Sequence, residues 1–147
     1  MIQLTRSDST TLNNVYLNLY DEMTNADYNV LISVTSQLTG KTKSFRSVTT
    51  YTNKDRYLHM LIYVATSTAG ENLGSGIVFL GSTDYPLGFY DVTIYQNNNN
   101  TNLDPANAIK TIYKGLANLT ATNAVAPVGY TEYTTNDSDT ESVYITI

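Results

Sequence analysis

The sequence predicts an all-β fold: a single antiparallel β-sandwich, Ig-like or jelly-roll-like, of about eight to ten short strands with one long hairpin. Three observations carry that expectation. Thr, Val, Ile and Tyr suit a pleated, half-buried surface, and they alternate with Asn-, Gly- and Asp-rich stretches that suit turns. Turn signals recur about every 8–12 residues, the spacing of a sandwich or barrel. Residues 88–96 alternate strictly, enter a polar stretch at 97–107, and return through 109–120 as the second arm of the hairpin. At 147 residues the chain reads as one domain, 1–147, long enough to bury a core. No composition shift or fixed-period repeat divides it.

Residues 2–5 form a short first strand, followed by a polar turn region at 7–13. Val15, Leu17 and Leu19 alternate with Tyr16, Asn18 and Tyr20, the mark of a strand with one buried face. A polar stretch at 21–27 leads to a second long strand, 28–38, which turns at Thr39, Gly40 and Lys41. Residues 43–51, centred on Phe45 and Val48, form a weaker strand. Residues 56–65 are apolar almost throughout and predict a central strand covered on both faces; periodicity alone also fits a short buried helix, and the β-branched and aromatic content favours the strand. A loop at 66–76, a short strand at 77–80 and a turn around Pro86 come before the hairpin. After it, residues 121–128 and 130–134 lead through an acidic turn at 136–141 to a terminal strand, 142–147.

Charged residues make up only 14% of the chain, so Thr and Asn supply much of its polarity. A net charge of −5 disfavours nucleic acid, which needs clustered Lys and Arg on phosphates, and also disfavours anionic lipid. With no cysteine, neither a disulfide framework nor a thiolate nucleophile or metal ligand is available. No apolar stretch follows Met1 and no run reaches membrane-spanning length, so the expectation is synthesis in the cytoplasm and use without cleavage.

The single histidine, His59, lies inside the apolar run without a neighbouring nucleophile or carboxylate pattern, and reads as a packed or hydrogen-bonded residue. Residues 70–76 lack the lysine and the strand–helix setting of a phosphate loop. Asp137, Asp139 and Glu141 have a spacing that can wrap a hard cation, but Asx-rich turns use the same residues to bond backbone. Asn99, Asn118 and Asn136 open glycosylation sequons that an Asn/Thr-rich chain produces by chance. The thirteen tyrosines are spread over many strands, which suits sheet and interface packing better than a sugar platform. No catalytic, cofactor-binding or metal-binding residue is assigned.

The chain resembles small structural (virion) proteins of tailed bacteriophages, of the type common in marine and Bacteroidetes-infecting phages. The resemblance rests on Asn53-Lys-Asp-Arg-Tyr-Leu-His59, on Leu87-Gly-Phe-Tyr-Asp-Val-Thr-Ile-Tyr-Gln96 with Asn102-Leu-Asp-Pro105, and on Lys114-Gly-Leu116. Tyr130-Thr-Glu-Tyr133 and Ser142-Val-Tyr-Ile145 complete it, and together these stretches span about two-thirds of the chain. It implies a non-enzymatic role on the virion, made in the host cytoplasm: capsid decoration or head-surface attachment first, a neck or tail ring second. A carbohydrate-binding module and, more remotely, an enzyme are the rivals. The implied partners are other virion subunits, with homo-oligomers expected and neither nucleic acid nor membrane. The candidate interaction residues are Asn97, Asn98, Asn99, Asn100 and Leu103 at the hairpin tip, and Tyr144, Ile145 and Ile147 in the terminal strand.

Overall fold

Alternating sequence becomes alternating burial wherever a strand has one face against the interior. The computed structural model describes residues 1–19, 22, 29–49, 57–97 and 99–122, and the statements below concern these residues. They form nine strands: β1 (Ile2–Arg6), β2 (Thr11–Leu17), β3 (Asn29–Ser36), β4 (Thr42–Arg46), β5 (Val48–Thr49), β6 (Leu58–Ala65), β7 (Ile77–Phe79), β8 (Gly88–Asn97) and β9 (Lys110–Ala121). Among the described residues the strands are joined by turns and by single 3-10 turns at Thr68–Gly70, Leu73–Ser75 and Pro105–Asn107. The mostly-β expectation holds. The terminal strand, with Tyr144, Ile145 and Ile147, lies outside the described residues, as do Asn98 and the acidic turn at 136–141.

Two sheets result. The first has five strands in the order β1-β9-β8-β3-β4. In the second, β6 is central, with β2 along one edge and the short β5 and β7 sharing the other. Pairing is mixed rather than antiparallel throughout: β1 runs parallel to β9, and β7 parallel to β6. Side-chain alternation reports which residues share a face and carries no information on strand direction. The crossover through residues 66–76 is long enough to return a strand parallel to its predecessor.

One hydrophobic cluster draws on both sheets. Leu4, Ile32, Phe45, Tyr90 and Ile94 come from the first, and Val15, Met60, Ile62, Val64 and Val78 from the second. Burying each such side chain contributes about 1.5–3 kcal/mol. Gly115 makes room on this side of β9, because a β-carbon there would collide with the Tyr113 ring.

Three sequence readings change. β2 begins at Thr11 rather than Val15, because its ladder with β6 extends to the Thr11–Val64 pair. The predicted strand 43–51 breaks at the buried Ser47, where the chain changes sheets: the Ser47 N–H donates to Val30 O in one sheet (3.3 Å), and its Oγ to Leu61 O in the other (3.5 Å). β6 is central, but only one of its faces is fully buried among the described residues, with His59, Leu61 and Tyr63 half-buried on the other.

Side chains close both seams between the sheets. At the β1/β2 seam, the buried Asn13 amide accepts from Thr5 N–H (2.7 Å) and donates to Thr5 C=O (3.0 Å), occupying the place of a neighbouring strand. At the β4/β7 seam, Glu71 accepts from Phe79 N–H (3.1 Å) and Lys43 donates to Phe79 C=O (3.1 Å). Lys43 and Glu71 also pair with each other at 2.7 Å, both largely shielded from solvent. Backbone groups that would otherwise template another chain are thus satisfied at both places.

Candidate functional site

The hairpin β8–β9 is antiparallel, with a register shift between Ile94 and Tyr95. Its tip is held by its own amides. Asn102 Nδ2 donates to Asn97 Oδ1, and Asn97 Nδ2 donates back to Asn102 O, both at 2.8 Å. Asn99 Oδ1 accepts from the N–H groups of Thr101 (3.0 Å) and Asn102 (2.8 Å) and from the Thr101 hydroxyl (3.2 Å). Asp104 caps the 3-10 turn that follows by accepting from Ala106 N–H (3.0 Å), with Pro105 at its first position. Short polar side chains that bond local backbone fix such turns without a core of their own.

This geometry divides the candidate residues of the tip. Asn97 is buried and Asn99 turns its amide oxygen inward, so both build the tip. Asn100 and Leu103 face solvent, and Ile109 lies exposed where the chain rejoins β9. Asn102, absent from the sequence-based candidates, is the central staple; only the density of Asn in the stretch hinted at it.

A second surface emerges on the outer face of the four-stranded sheet. Register places Leu12 opposite Tyr63, Asn14 opposite Leu61, and Tyr16 opposite His59. The Tyr16 and His59 rings stack with centroids 4.3 Å apart and planes 3° from parallel, while His59 Nε2 lies 2.9 Å from Asn14 Oδ1. His59 is therefore a hydrogen-bonded, packed residue, as its sequence setting suggested. Stacked at that distance, each of these two rings has one face covered by the other, which leaves less aromatic face for a ligand to stack on. This clustering of tyrosines was hidden because 56–65 reads as uniformly apolar, although period-2 counting through Leu12, Asn14 and Tyr16 exposes the face.

Other features are engaged locally. A recess of about 320 Å³ is lined by Arg6, Ser7, Asp8, Thr66 and Ala121. Arg6 is committed there to Gly81 O (2.7 Å) and lies over the Phe79 ring. Gly81 has φ +93° and is crossed by the Arg6 side chain, so no larger residue fits. Among the described residues no three His, Asp or Glu side chains gather into a metal-binding group.

No family model, curated protein or solved structure significantly matches this chain.

Proposed function

We propose that this chain is a non-enzymatic structural protein of a tailed-bacteriophage particle, most simply a capsid-decoration or head-surface protein that binds neighbouring virion subunits. The observation that carries the reading is the self-stapled tip at 97–109. Asn97, Asn99 and Asn102 bond its backbone locally, and it presents Leu103 and Ile109, 37% and 46% exposed. A loop already ordered loses little entropy on docking. The closed seams at Thr5 and Phe79 argue in the same direction, since they leave faces and loops rather than those edges for contact. We read the two sheets as the layers of a single sandwich domain of the Ig-like or jelly-roll-like kind, a reading supported by their shared core and closed seams.

The test is immunogold labelling of purified particles, paired with mass spectrometry of the same sample. Label over the head is the expected result. Label confined to the neck or tail moves the protein to the ring alternative, and absence of the chain from purified particles sinks the virion reading. Leu103→Asp should cut incorporation while leaving the circular-dichroism spectrum of the free protein unchanged.

A further inference from the structure

We propose that the open half of the β9 edge is the docking site of this chain's own segment Ser142–Ile147. In the order β1-β9-β8, β8 pairs with β9 from Lys110 to Leu119, whereas β1 pairs only with Ala117 to Ala121. Among the described residues, Lys110–Leu116 therefore has a strand on one side and none on the other. The seams at Thr5 and Phe79 are closed by side chains that stand in for a strand, and no such substitute sits here among the described residues. Beside the gap lies a recess of about 210 Å³ whose walls include Ile2, Val15, Leu17 and Tyr113. Leu17 and Tyr113 are only partly buried against the core. An extended segment in line with β1 would set its backbone on the β9 edge and turn alternate side chains toward that recess.

Pattern, charge and reach select the occupant. Val143, Ile145 and Ile147 alternate with Ser142, Tyr144 and Thr146, so one side of the segment is wholly aliphatic. That is the pattern of a strand with one buried face, and its length matches the open stretch to within a residue. Lys110 and Lys114 lie on the open strand, while the ion pairs among the described residues involve Lys41 and Lys43 instead. Asp137, Asp139 and Glu141 lie just ahead of Ser142. Lysines on an open edge repel a second copy of the same edge, which would set like charge against like. They attract a strand led in by carboxylates. The way back from Ala121 to Lys110 is about 36 Å along the strand, and residues 122–141 can span about 66 Å when extended. This inference does not depend on the particle assignment.

The experiment is zero-length carbodiimide cross-linking of the full chain, read by mass spectrometry of its peptides. The expected product joins Lys110 or Lys114 to Asp137, Asp139 or Glu141, and the Lys41–Asp84 pair, 3.0 Å apart, is the internal control. Mixing isotopically labelled with unlabelled chains separates links within one copy from links between copies. Amide hydrogen exchange gives an independent readout. In the wild type, the N–H groups of Lys110–Leu116 that point away from β8 should be as protected as those bonded to it. Ile145→Lys sets a cation against the apolar recess and should speed exchange of that outward set at least about tenfold, leaving Ile32 and Ile94 unchanged. Val143→Lys replaces it if the first variant misfolds. No such cross-link alongside a formed Lys41–Asp84 link overturns the proposal, as does protection that is absent in the wild type or unchanged in the variant. Links found only between copies also overturn it, in favour of a neighbouring copy's segment on the same edge.

Discussion

The two sheets share one core but turn different outer faces to their surroundings. On the five-stranded sheet, hydroxyls bond one another across strands, Thr35 to Thr42 (2.8 Å) and Ser44 to Ser33 (3.2 Å), and Gln37 donates to Asp91 (2.9 Å). On the four-stranded sheet the equivalent positions carry Leu12, Tyr16 and Leu61, with Asn14 tied to His59. The first face ties several of its polar groups to one another and still leaves Phe89 and Leu116 exposed, whereas the second exposes Leu12 and Tyr16 on strands without a charged residue. Hydrophobic-in, polar-out alternation is thus incomplete on both sheets, and the sheets differ chiefly in where their charges and hydroxyls sit.

Substitutions at inner, seam and outer positions should rank accordingly. Phe45→Ala empties a site that both sheets close over and should cost about 3–5 kcal/mol, read from the urea midpoint. A loss below about 1 kcal/mol would break the picture of one shared core. Glu71→Ala strips the carboxylate from a shielded pair and leaves both Lys43 and Phe79 N–H without it, at a cost of about 3 kcal/mol.

Tyr90 points inward, and its hydroxyl donates to Pro86 O. Burial, helped by nearby Tyr85, pushes its pKa up from 10.0 to about 12. A phenol whose folded pKa lies above its unfolded one supports the fold fully below pH 10, and that support is lost as pH rises through about 12. The loss should be about 1–2 kcal/mol, since partial solvation of the phenol oxygen screens the effect, and be absent in Tyr90→Phe, measured by unfolding at stepped alkaline pH. The smallest effect belongs to the polar outer face. Thr35→Val should shift stability by no more than about 1 kcal/mol, because its hydroxyl bond is made at a half-exposed site. A larger loss would mean that the hydroxyl ladder holds the sheet together rather than merely facing it.

The long hairpin was legible because strict alternation in 88–96 and the Asn/Asp/Pro stretch after it are local signals. Strand direction was not, since Ile2 and Ala117 pair across most of the chain and nothing near either announces the other. The seams were equally hidden. Asn13, Lys43 and Glu71 look like ordinary polar residues until folding sets them against Thr5 and Phe79. At the tip, composition pointed to the right stretch but could not separate the amides that build it, Asn97, Asn99 and Asn102, from the positions that face outward. The uncharged face was misread for a related reason. An apolar run buried on both sides and one exposed on alternate residues differ only in what the rest of the chain places above them.

The parallel pairing of β1 with β9 also sets an order of events during synthesis. Ile2 precedes its ladder partner Ala117 by 115 residues. At about 5–20 residues per second, the ribosome takes about 6–23 s to supply that partner. Until then Ile2 and Leu4 have no sheet to join, and the Asn13 amide can hold Thr5 only within a nascent fragment. β1 precedes its partner strand by most of the described residues and docks late, so its apolar side chains are what a ribosome-associated chaperone would meet during that interval.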